Sequence, residues 1–247
     1  MANIFEQYGI KEVADVMIYK LEEKDGSTTE KPWLYLDTLK VSTLEQTAEQ
    51  AEARGGKGNS PLIIWDFGKE INITLEDALY SPRSMATTWG GNAAWQTVSE
   101  VEKTVAVVAT GTSAPVVTYI NPKDGSEVTA TATFKDKDGK DVTSDFQIGE
   151  TYFATYKVPA EGNKIVIDAD DYPGVFKIVG DTYARNRNTG EDEYFQFIIH
   201  RAKMSAENTL TLEAEGDPTV FNLNLRTLRP KDGHMIELIQ YKVTAGE

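Results

Sequence analysis

Apolar and polar residues alternate from Thr209 to Glu215, with Leu210, Leu212 and Ala214 set against Thr209, Thr211, Glu213 and Glu215. A period of two is that of a strand with one buried face. Gly216-Asp217-Pro218 follows, and then Phe221, Leu223 and Leu225 alternate with Asn222, Asn224 and Arg226. Two such runs about a Gly/Pro turn predict an antiparallel hairpin. The run Tyr194 to Ile199 predicts a further strand, buried on both faces. Asp-Gly dipeptides at Asp25-Gly26, Asp124-Gly125, Asp138-Gly139 and Asp232-Gly233 suit the left-handed conformations of tight hairpins. Turns of this kind between β-rich runs predict a mainly β protein, an antiparallel sandwich or barrel rather than an alternating α/β fold.

Helix is scarce. The spacing of Thr74 and Asp77 predicts a capped start for a short helix, with Leu75, Ala78 and Leu79 on its inner stripe and Pro82 ending it. The stretch Ser42 to Ala53 is composed of good helix formers, yet it continues an extended pattern from Trp33, so helix and long polar strand both fit. The Thr-, Val- and Asp-rich segment 112–160 reads as a small β elaboration within a single domain spanning 1–247, with no separating linker.

Composition narrows the function. The 247 residues carry no cysteine, which excludes disulfides, thiolate metal sites and cysteine nucleophiles. No apolar run approaches the roughly 18 residues of a membrane helix. The opening MANIFEQYGIKEV lacks the basic and apolar regions of a signal peptide, so the expectation is synthesis in a cytoplasm. The net charge of −14 argues against a protein that grips nucleic acid through its phosphates, though not against one that DNA must pass without sticking. Solubility alone is a blander account of the same charge.

Catalytic motifs are not evident. The two histidines, His200 and His234, lack partners at metal-ligand or triad spacing, and no nucleophile elbow occurs. Asp136 to Asp141 fails the calcium-loop spacing and reads as a hairpin tip; Asp168, Asp170 and Asp171 read as a solvated turn before Pro173. Neither metal nor cofactor is expected, and no two carboxylates stand out as a glycosidase pair. Trp89 and Trp95 could line a sugar platform, but large aromatics more often sit in cores. The sharpest local feature is Arg54-Gly55-Gly56-Lys57-Gly58-Asn59. It matches neither phosphate-binding pattern, but it places two cations at a turn of an acidic chain, where they could contact an acidic face of a second copy.

Three stretches carry a resemblance. ARGGKGNSPLIIWDFGKEINITLEDALYSPRSM (53–85), YPGVFKIVGDTYARNRNTGEDEYFQF (172–197) and LTLEAEGDPTVFNLNLRTLRP (210–230) are similar, in this order, to the tail tube proteins of tailed bacteriophages and related injection systems. The resemblance implies a β-sandwich with a short flanking helix and long hairpins that reach between subunits. It implies rings, typically of six, stacked into a hollow tube through which DNA leaves the head, and hence a virion component without catalysis. It also implies tail initiator or baseplate, tape-measure and, in contractile tails, sheath proteins as partners. On that reading Arg54 to Asn59 is an inter-subunit hairpin tip. Glu213 and Glu215, on the polar face of one strand, are candidates for the lumen wall; the tube exterior is the other placement, and alternation does not choose between them. The rival classes are a carbohydrate-binding or similar β-sandwich module, which stays monomeric, and a baseplate or decoration protein.

Overall fold

The computed structural model describes residues 7–24, 26–90, 96–212, 214 and 219–243. It is an antiparallel β-sandwich with one short helix, divided into two compact units, Met1–Ala93 with Val166–Glu247, and Ala94–Ile165.

The first unit holds β1 (Tyr8–Ile10), β2 (Asp15–Lys24), β3 (Ser27–Leu36), β4 (Leu39–Gly55), β5 (Ser60–Asp77) and helix α1 (Pro82–Trp89). The second unit holds β6 (Gln96–Val108), β7 (Val117–Ile120), β8 (Glu127–Ala130), β9 (Ala132–Lys135), β10 (Asp141–Val142) and β11 (Thr151–Lys164). The chain then returns to the first unit as β12 (Val175–Asn186), β13 (Asp192–Met204), β14 (Phe221–Thr227) and β15 (Ile236–Tyr241).

In the first unit the strand order is β3-β2-β12-β13-β14-β5-β4, with β1 on β12 and β15 on β13. The outermost strands, β3 and β4, are joined in sequence by Asp37 and Thr38 alone, so the sheet must curl enough to bring the end of β3 to the start of β4. The curl encloses one core: Val16, Ile18, Leu34 and Leu36 from one flank, Phe176, Ile178, Phe197 and Ile199 from the centre, and Ile73, Leu75, Leu223 and Leu225 from the other. These residues alternate with exposed or half-buried ones, as a strand with one buried face requires. The closing junction is stitched by Thr38, whose hydroxyl donates to buried Asp77 at 2.5 Å and whose carbonyl accepts from Ala78. Gly180 lies opposite Phe197 in the ladder, and the phenyl ring occupies the space a Cβ would need, 2.2 Å away.

The second unit has its own core, Phe134, Phe146, Tyr152, Tyr156 and Val158 among it, covered by the sheet β10-β9-β11-β6 and the β7–β8 hairpin. Phe146 packs edge-on against both Phe134 and Tyr152, at 5.3 and 4.8 Å between ring centres. The segment 112–160 singled out in the sequence lies inside this unit, whose boundaries are wider.

The Asp-Gly turns fall where the sequence puts them, between β2 and β3, β7 and β8, β9 and β10, and β14 and β15. Gly26, Gly125, Gly139 and Gly233 all have φ between 70° and 84°. Ser42 to Ala53 is strand, part of β4, because β5 supplies a partner along its length. Two expectations are corrected. Thr74 to Asp77 is the end of β5, not a helix start, since Ile71, Ile73 and Leu75 keep a period of two and β14 pairs with the strand from Asn72 to Asp77. The helix begins where it was expected to end: Pro82 occupies its first position, where a missing N–H costs nothing. Ser81 and Ser84 close a reciprocal capping box before it, and Gly90 ends it with φ 79°. Of the strand expected from Thr209, residues 209–212 are irregular and Leu212 is exposed, while Glu213, Glu215 and the turn lie outside the described residues. The Thr219 hydroxyl donates to the Thr211 carbonyl at 2.8 Å. β14, the intended partner, pairs with β5 from Phe221 to Arg226 and with β13 from Leu225 to Thr227 instead.

Candidate assembly interface

β5 is the longest strand, and its two halves live in different environments. From Asn72 to Asp77 it pairs with both β14 and β4 and sends Ile73 and Leu75 into the core. From Ser60 outward, β4 is its only partner among the described residues, so the outer half is a two-stranded ribbon. Leu62, Ile63, Ile64, Trp65 and Phe67 on this ribbon are each 49–67% exposed. Such a run of β-branched and aromatic residues forms a strand readily. A two-stranded hairpin alone is marginal in water, and contiguous exposed apolar surface of this kind marks an interaction site.

A bulge decides which residues share a face. Between the pairs Thr47–Glu70 and Glu49–Phe67, β5 carries one residue more than β4, and Gly68 there has φ 60°. Such an insertion shifts the alternation of the strand that carries it. Beyond it Phe67, Trp65 and Ile63 stand opposite Glu49, Ala51 and Ala53, so three large apolar side chains share a face with two alanines. The other face is mixed: Asp66 accepts from Gln50 at 2.9 Å, and Ile64 stands opposite Glu52.

Gly56 to Asn59 form the turn between β4 and β5, with Arg54 and Gly55 ending β4. Gly56 and Gly58 have φ 78° and 90°, Asn59 has φ 50°, and the Asn59 N–H donates to the Gly56 carbonyl at 3.2 Å. The two cations differ. Arg54 is held by Glu52 at 2.5 Å, whereas Lys57 has no partner among the described residues. Glu213 and Glu215 lie outside the described residues, as does the Gly216-Asp217-Pro218 turn.

At the foot of the ribbon lies a cleft of about 1060 Å³, where β14 gives way to β15 along β13. Met204, Leu228 and Met235 supply apolar lining. Lys69, Lys203, Arg226 and Arg229 line it too, against a single carboxylate, Glu70, which pairs with Arg226. This is a cationic site on a chain of net charge −14. Thr227 also lines it, is 6% exposed, and its hydroxyl has no partner among the described residues. Nothing in the linear sequence announces this cleft, because Lys69 lies far along the chain from Lys203, Arg226 and Arg229.

Further along β12 the balance reverses. Asp15 and Asp181 face each other across β2 and β12, beside a cavity of about 580 Å³ lined also by Glu12 and Asp192. The Asp15 carboxylate, then burial and Asp37, push the Tyr35 hydroxyl up. Burial, then Asp181, which accepts its hydroxyl at 3.0 Å, does the same to Tyr241. Arg185 bonds Asp192 through two nitrogens at 2.6 and 2.7 Å and holds that carboxyl below its ordinary range. Lys242, 2.9 Å from Glu193, depresses the Glu193 carboxyl, with Gln240 and Asn186 adding bonds and burial opposing.

The remaining candidates take local roles. His200 contacts Glu237 at 2.8 Å, and the His234 N–H donates to the Asp232 carboxylate. Asp136 accepts from the Asp138 and Lys140 N–H groups in the β9–β10 turn, and the Asp171 N–H donates to the Asp168 carbonyl. Trp89 ends α1, and Trp95 lies outside the described residues.

The β-sandwich thus extends an exposed apolar ribbon beside a charged cleft. The profile of the YomU/Tube protein family matches residues 8–240, nearly the full chain, and the protein belongs to that family. Among curated proteins, the chain is 26% identical over 212 residues to the tail tube protein of Bacillus phage SPR, covering 76% of this chain and 72% of that one.

Proposed function

We propose that the protein is a structural tail tube subunit, whose copies join into rings, six to a ring as in the proteins it resembles, that stack into a hollow conduit for DNA. The observation that carries this is the β4–β5 ribbon, with five large apolar side chains exposed and, among the described residues, no strand but β4 paired with its outer half. Family membership supports it, as do the outer edges of β3 and β4, which pair with nothing among the described residues. Open edges are a liability for a monomer and a joining device for a ring. The acidity of the chain suits a wall that phosphate must pass without sticking, and Glu213 and Glu215 remain our candidates for that wall. Arg54 to Asn59 is the part of the ribbon that reaches furthest toward a neighbour. Other tail proteins, an initiator and a tape measure first among them, complete the assembly, and the protein's place is the virion tail.

The test replaces residues 48–68 with an Asn-Gly turn and follows wild type and variant by light scattering and negative-stain electron microscopy, with and without a tail initiator. Wild type forms rings or tubes; the variant melts normally and stays monomeric. Tubes built from the shortened variant, or a wild type monomeric under every condition, would overturn the proposal.

A further inference from the structure

The apolar ribbon face and the cationic cleft are complementary, and one strand carries both. The ribbon face presents Ile63, Trp65 and Phe67 beside Ala51 and Ala53, with Glu49 at its inner end. The cleft offers methionine and leucine side chains beside Lys203, Arg226 and Arg229, and contains the buried Thr227 hydroxyl, which has no partner among the described residues. Its volume, about 1060 Å³, is at the upper limit of ordinary ligand pockets, so it accepts a row of side chains rather than a single one. Apolar surface meets apolar surface, a carboxylate meets guanidinium and ammonium groups, and indole and phenyl faces suit cations.

Resting on the tube reading above, we infer that the Ile63–Trp65–Phe67 face of one copy's ribbon seats in the cleft at the foot of a second copy's ribbon. The two surfaces are different, so the contact is head-to-tail and leaves one copy with a free cleft and the other with a free ribbon. Gly68 lies at the junction: it lines the cleft, and its bulge sets which β5 residues the ribbon presents to the next copy. A strand without that insertion would put Ile64 and Leu62 on the presented face instead.

The absence of cysteine makes a clean test possible, since any disulfide is a designed one. Copies carrying Ala51→Cys, on the apolar face, are mixed with copies carrying Ala206→Cys, at the cleft, allowed to assemble and then oxidised. Copies carrying Gln50→Cys, one residue away on the opposite face, serve as the control. Because Cβ atoms that point apart cannot be bridged, the Ala51→Cys mixture yields at least about tenfold more cross-linked dimer than the control. Tubes that form with equal or reversed yields would overturn the docking while leaving the tube reading intact. A protein that never assembles, with or without an initiator, would overturn both.

Discussion

Replacing Trp65 with alanine separates the role of the ribbon from the stability of the subunit. Trp65 belongs to neither core, and about half of it, 52%, is in water. A tryptophan presents at most roughly 250 Å², so docking removes up to about 130 Å² from water, worth about 3 kcal/mol at roughly 25 cal/mol per Å². At 1.4 kcal/mol per factor of ten this is about a hundredfold in an association constant. The expected result is a critical concentration for tube formation raised about a hundredfold, read by sedimentation of assembled material. The free subunit should melt within about 2 °C of wild type, because surface changes away from packed features stay within about 0.5 kcal/mol. A critical concentration changed by less than about threefold would show that the indole is not buried on assembly. A melting point lowered by more than about 5 °C would show that Trp65 acts within its own subunit.

Three further outcomes follow from the geometry. Gly180→Ala forces a methyl into the Phe197 ring inside a closed core, and should cost about 3 kcal/mol and about 6–12 °C in melting temperature; adding Phe197→Leu should recover part of the loss, and a single variant as stable as wild type would refute the packing. Glu193 has its carboxyl depressed by Lys242, so its contribution is complete above its ordinary value of 4.5 and is lost as pH falls through the lower folded value. In urea titrations at pH 7, 4.5 and 3, wild type should therefore lose midpoint below pH 4.5 more steeply than Glu193→Gln, and parallel profiles would contradict this. Salt screens repulsion between subunits of charge −14 over about 10 Å at 0.1 M, so assembly followed by light scattering should quicken with moderate salt, whereas slowing would mean that the cleft's charge pairs dominate.

What the sequence revealed was what neighbouring residues decide among themselves. The Asp-Gly turns are legible because two residues set their own φ, and β14 is legible because Leu223 and Leu225 keep their period whatever lies beside them. Ser81-Pro82 was misread because proline is a breaker inside a helix and a starter at its first position; the serine before it, with a second serine at 84, was the missing clue. Thr209 to Leu212 shows the opposite limit. Its alternation is as regular as that of β14, but a strand needs a partner, and 209–212 pairs with no strand among the described residues. The ribbon tip was legible as a turn, while the cleft was not, because Lys69, Lys203 and Arg226 converge only once β5, β13 and β14 lie side by side.

The bareness of the outer ribbon also bears on how growth begins. Ordering a residue costs about 1–2 kcal/mol of backbone entropy, and among the described residues the ribbon beyond Ile71 has only its own second strand to set against that cost. If ribbons seat in clefts as inferred above, ordering the ribbon and seating it would be coupled. A first ring would bear this cost at every junction with no surface yet in place to receive the ribbons, whereas each later ring would meet a finished rim of clefts. Elongation from an existing end would then outrun spontaneous initiation, and free subunits would stay unpolymerised until a template is supplied. The difference in surface between ribbon and cleft would make the two ends of such a tube unlike, so that its elongation would have a direction.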